Sequence, residues 1–124
     1  MKTISVIPRL FRQNLHHLDT KLLEIKSMLE KSGWEFYAVS YCRGYCEHFD
    51  KVITIPEHAF EEETSYLNWY LAHEMAHAYA GLEAKHGPRF MKELQRICPP
   101  EYIHHELTYQ PKNALLAGIQ AEDF

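Results

Sequence analysis

The sequence predicts an α+β fold, and three observations lead there. A helical apolar stripe occupies the opening third. Two runs rich in strand formers follow between Trp34 and Ile55. Two further helical segments, separated by a short loop, come next.

The opening stripe is Phe11, Leu15, Leu18, Leu22, Ile25 and Leu29, at alternating steps of four and three. That spacing places all six on one face of a helix running from about Pro8 to Lys31, with Ser32-Gly33 as its stop. It also fits a coiled-coil seam, but fewer than three heptads favours a core-facing helix. From Trp34 the period changes. Glu35 to Tyr41 and Lys51 to Ile55 read as short strands, the second closed by Pro56. Arg43-Gly44-Tyr45 and Glu47 to Asp50 read as turn or irregular connection, so the expected arrangement is a hairpin or short meander. Glu61 to Glu63, followed by Thr64, open a second helix that should reach Ala80 and stop at Gly81. A third helix starts at Pro88, carries Phe90, Met91, Leu94 and Ile97 on its buried side, and ends at Pro99-Pro100. Beyond it, Tyr102, Ile103 and Leu107 give weak helical signals, and the stretch to Phe124 has no assigned structure.

Composition narrows the function. The chain has 124 residues, which fits one domain spanning 1–124, and 46% of them are hydrophobic. A net charge of -4 gives no electrostatic footprint for nucleic acid or an anionic membrane. Cys42, Cys46 and Cys98 are too few for a disulfide framework and suit a reducing compartment. The opening residues, Met1 to Leu10, lack a long apolar stretch, and no run approaches the length of a bilayer span. The expectation is a soluble, cytoplasmic protein. Oligomeric state is not written in these residues.

Nine histidines are unusual for this length. His73-Glu74-Met75-Ala76-His77 has the pattern H-E-x-x-H inside the second helix. Histidines four apart stand one above the other on a helix face, so both imidazoles can reach one ion, and zinc takes neutral imidazole in a tetrahedral shell. Glu74 is placed to hold a zinc-bound water and accept its proton without occupying a ligand position. Leu67, Trp69, Leu71, Met75 and Ala76 would bury this helix on several sides. Unpaired polar groups there would be costly. A catalytic zinc keeps three protein ligands and one open position. His86 supplies the third, after eight intervening residues from His77, with Gly87 permitting an unusual backbone and Pro88 opening the next helix.

His73-Glu74-Met75-Ala76-His77-Ala78-Tyr79, then His86-Gly87-Pro88-Arg89-Phe90, resembles the SprT-like (Spartan-type) zinc metallopeptidase family. Asp50 to Pro56 is similar to the short strand ahead of that family's active-site helix, and the resemblance covers about Trp34 to Ile97. It implies a zincin-like minimal metallopeptidase domain, zinc on His73, His77 and His86, and Glu74 as general base. It also implies a protein or peptide substrate. Members include proteases acting on proteins crosslinked to DNA. Three features depart from the family: a shorter link between His77 and His86, no C-terminal four-cysteine zinc ribbon, and no basic extension. Charge therefore gives a DNA partner no support.

Other groups were weighed on the same terms. Cys42, Cys46 and His48 offer only three ligands for a closed zinc site, so ordinary reduced cysteines are the expectation. The pairs His16-His17 and His104-His105 read as solvated helix-face residues, and His58 as a loop surface position. For the oxyanion, Tyr79, Tyr109 and His105 are candidates that the sequence does not separate. The rival to an enzyme is a non-catalytic zinc-stabilised protein-interaction domain. It would keep the three histidines but have no need of Glu74.

Overall fold

A computed structural model describes residues 5–108 of the chain. Tyr109 and the rest of 109–124 lie outside the described residues. The architecture is α+β: among the described residues there are six helices and one small three-stranded sheet. The elements in order are α1 (Arg9–Asn14), α2 (Thr20–Lys31), β1 (Glu35–Val39), β2 (Tyr45–Glu47), β3 (Val52–Pro56), α3 (Glu57–Glu61), α4 (Thr64–Ala80), α5 (Pro88–Ile97) and α6 (His105–Thr108). Short 3-10 turns precede α2, α5 and α6. No helix among the described residues is long and apolar enough to cross a membrane.

The leading helix is broken in two. Leu18 is extended, Asp19 caps α2 by accepting from the Lys21 amide at 2.9 Å, and a 3-10 turn fills Leu15–His17. The cause lies in α4. Asn68, fully buried there, accepts from the Asp19 amide at 2.7 Å and donates to the His17 carbonyl at 2.9 Å. One side chain thus satisfies both backbone groups that the break exposes. Leu18, Leu22, Ile25 and Leu29 still reach the core, whereas Leu15 falls outside the stripe and is 43% exposed.

The sheet is not a simple meander. Its order is β1-β3-β2, with β1 parallel to β3 and β2 antiparallel to it. Ile53, Thr54, Ile55 and Pro56 are all buried, so β3 takes the centre, while the half-buried Tyr45–Glu47 segment forms an edge strand where an irregular connection was expected. The β2–β3 turn is held by the Glu47 carboxylate, which accepts from the Phe49 and Asp50 amides at 2.9 and 2.7 Å. Just before β2, Gly44 passes so close to β3 that a Cβ would collide with the Thr54 carbonyl oxygen. Only glycine fits there.

α4 runs through the middle of the molecule. Tyr66 to Ala76 is buried without interruption, as expected of a helix that is apolar on all sides. α5 packs along it, with Phe90, Leu94 and Ile97 inward, and α2, α3, β2 and β3 cover the remaining faces. Glu57–Glu61 adds a short helix ahead of α4 that the sequence did not announce. Replacing Asn68 by Ala should lower unfolding free energy by about 2–3 kcal/mol in chemical denaturation, because it leaves the Asp19 amide and His17 carbonyl unsatisfied.

Candidate metal centre

The three predicted ligands come together through ordinary local structure. His73 and His77 occupy successive turns of α4, whose C-terminus is closed by Gly81 at φ 95°. A 3-10 turn at Leu82–Ala84 follows, and Lys85, at φ 48°, reverses the chain into His86. The left-handed residues of this loop are Gly81 and Lys85. Gly87 has ordinary extended backbone, contrary to expectation, and what matters there is space: its amide donates to the Ala84 carbonyl at 2.9 Å, which a Cβ would crowd at 3.1 Å. Pro88 then takes the first turn of α5.

The available ring nitrogens of His73, His77 and His86 lie within 4.8 Å of one another. Nε2 of His77 and Nε2 of His86 are 3.2 Å apart. In a tetrahedral shell with metal–nitrogen bonds of about 2.0–2.1 Å, neighbouring donors sit about 3.3 Å apart. The cluster thus matches one edge of such a shell and can hold a metal ion. His73 is fully buried, whereas His77 and His86 are half-buried, so the cluster opens on their side. Phe90 packs against all three rings, with centroid distances of 5.0, 4.4 and 5.0 Å. It forms an apolar wall that limits their rotation.

Two buried carboxylates flank the histidines and differ in state. Glu106 on α6 accepts at Oε1 from His73 Nδ1 at 2.8 Å and from Trp69 Nε1 at 3.0 Å. Burial pushes its pKa up, but the His73 charge and the two hydrogen bonds outweigh that and hold it below the usual carboxylate value. Glu74 is fully buried, and neither of its oxygens has a hydrogen-bond partner among the described residues. Burial raises its pKa to about 7, against the pull of His73 and Arg43 and with a further push from Glu106. Tyr70 stands one turn before Glu74, and its hydroxyl accepts from the Gly44 amide at 2.7 Å. Burial and the Glu74 charge hold that phenol well above its ordinary pKa. Burial, then Glu74 and Glu47, likewise raise the Cys46 thiol on β2.

The remaining candidates sort clearly. Cys42 and Cys46 are free thiols, and among the described residues neither they nor His48 join a metal-holding group. The His48 ring packs edge-on against Trp34, and His58 Nε2 lies 3.0 Å from the Cys42 carbonyl oxygen. His58 therefore sits in the short helix α3, half-buried, rather than on a loop surface. His16, His17 and His104 are exposed as expected. His105 is not: it is buried, with Nε2 at 2.9 Å from Ser65 Oγ, and burial together with the His104 charge lowers its pKa against the opposing Glu63. Tyr79 is exposed under the Arg96 guanidinium, whose Cζ lies 4.7 Å from the ring centroid. Neither Tyr79 nor His105 is shown in an oxyanion role, and Tyr109 lies outside the described residues. Glu106 and its Trp69 donor were missed. Their only sequence signal is general: a ligating imidazole needs an acceptor for its second nitrogen.

An unpartnered buried carboxylate works against folding once it ionises. Because the Glu74 pKa is raised from 4.5 to about 7 on folding, its stabilising contribution is complete below pH 4.5 and is lost as pH rises through 7. In the metal-free protein, Glu74→Gln should raise stability at pH 8 by up to about 3 kcal/mol, and the gain should vanish toward pH 4.5. Denaturation at a series of pH values checks both size and trend. No protein-family model, curated protein or solved structure matches the chain.

Proposed function

We propose that the chain is a zinc-dependent endopeptidase with a zincin-like, SprT-like catalytic domain, hydrolysing peptide bonds with Glu74 as general base. One observation carries this reading: a cluster of three imidazoles stands beside a fully buried carboxylate with no hydrogen-bond partner among the described residues. Three neutral nitrogen donors suit zinc, and a catalytic site takes three protein ligands where a structural one takes four. The oxygens of Glu74 are acceptors whose burial is uncompensated among the described residues. A bare interaction domain has no use for such a group.

His73, His77 and His86 would hold the ion. Zinc, when bound, supplies Lewis acidity toward a substrate carbonyl and an attacking water. Glu74 takes the proton released by that water and delivers it to the leaving amine nitrogen. Phe90 shields the imidazoles from one side, and the half-buried His77 and His86 leave the other side open to a polypeptide. The edge strand β2 packs against α4, the helix that carries Glu74, and as an edge strand it would offer backbone groups to an extended peptide.

Zinc content and cleavage of casein or a peptide library should be measured on the wild type, Glu74→Gln and His77→Ala. The expected result is one zinc per chain in the wild type and in Glu74→Gln, with cleavage reduced at least about a hundredfold in the latter. His77→Ala should lose both metal and cleavage. Full activity in a zinc-loaded Glu74→Gln protein would sink the proposed mechanism.

A further inference from the structure

His73 can meet an ion through either ring nitrogen, and a ligand that presents the wrong one is no ligand. The choice is made outside the histidine cluster. Oε1 of Glu106 lies 2.8 Å from His73 Nδ1, and the imidazole is fully buried. A carboxylate only accepts, so Nδ1 carries the hydrogen, and in the neutral ring the lone pair is on Nε2. The same Oε1 accepts from the Trp69 indole at 3.0 Å, which fixes the carboxylate in turn.

The placement of Glu106 depends on the way α6 lies on α4. Ser65, Trp69, His73 and His77 follow one another at four-residue steps, forming a single row along α4. Adjacent residues of α6 touch three members of that row: His105 reaches Ser65, and Glu106 reaches Trp69 and His73. The fourth member, His77, faces His86.

We infer that Glu106 is a positioning residue of the metal centre, holding His73 as the Nδ1–H tautomer with Nε2 turned to the ion, while Trp69 anchors the carboxylate. This rests on the reading of His73, His77 and His86 as metal ligands. It makes α6, more than thirty residues after the first ligand, part of the metal site. The competing account is that Glu106 merely pins α6 to α4. Under that account the charge is dispensable so long as a hydrogen-bond acceptor remains.

Two measurements on the full chain separate these accounts. Metal-free wild type and Glu106→Gln are titrated with zinc in competition with a chelating dye. Their unfolding is followed without metal. The expected result is a loss of about 10–100-fold in zinc affinity for Glu106→Gln, with metal-free stability changed far less. Equal zinc affinity in the two proteins would overturn the inference while leaving the metal reading intact. A wild type that binds no zinc overturns the metal reading and this inference with it. Nitrogen-detected NMR of the metal-free wild type needs no variant, so it decides even if Glu106→Gln does not fold. His73 should show its proton on Nδ1, and a predominant Nε2–H tautomer would refute the assignment.

Discussion

The rest of the structure answers to the burial of α4. A helix enclosed on every side must carry apolar residues all round, and this one also carries Asn68, His73 and Glu74 at full burial. Each buried polar group has to find a partner on another element, and those partners set the path of the chain. Asn68 decides where the leading helix breaks. Tyr70 fastens the segment entering β2 through the Gly44 amide. Trp69 and His73 draw α6 back across the helix through Glu106. Glu74 alone is left without a hydrogen bond among the described residues, and it is the group to which the chemistry is assigned.

The two buried carboxylates show how environment separates like groups. Both are removed from water by the same core. Glu106 gains two donors, from His73 and Trp69, and its pKa falls below the usual carboxylate value. Glu74 gains no donor, and its affinity for a proton rises. The environments thus drive two like acids apart, one toward a fixed negative charge and the other toward holding a proton in the metal-free protein.

Much of the candidate site was legible because its information is local. His73 and His77 share a helix face by spacing, and Gly81, Pro88 and Phe90 mark the turn and the packing that return His86 to them. The extent of α4 followed from its acidic start and Gly81, and that of α5 from Pro88, its apolar spacing and Pro99-Pro100. What escaped the sequence depends on contacts between distant segments. The break at Leu18-Asp19 is made by a residue in another helix, and the stripe from Phe11 to Leu29 runs across it without a flaw. Three residues at Tyr45–Glu47 are too few to show alternation, so β2 and the central place of β3 were hidden. The His104-His105 pair looks solvated in sequence, yet the second member is buried against Ser65 and its neighbour Glu106 reaches His73.

The unequal burial of the three histidines gives the cluster a direction. A cation arriving from solvent meets the half-exposed imidazoles of His77 and His86, which already stand at the spacing of a shared ion. It reaches His73 last, against a ring whose far nitrogen is already held. An ion held by the three would thus have its innermost contact at His73, the donor farthest from solvent.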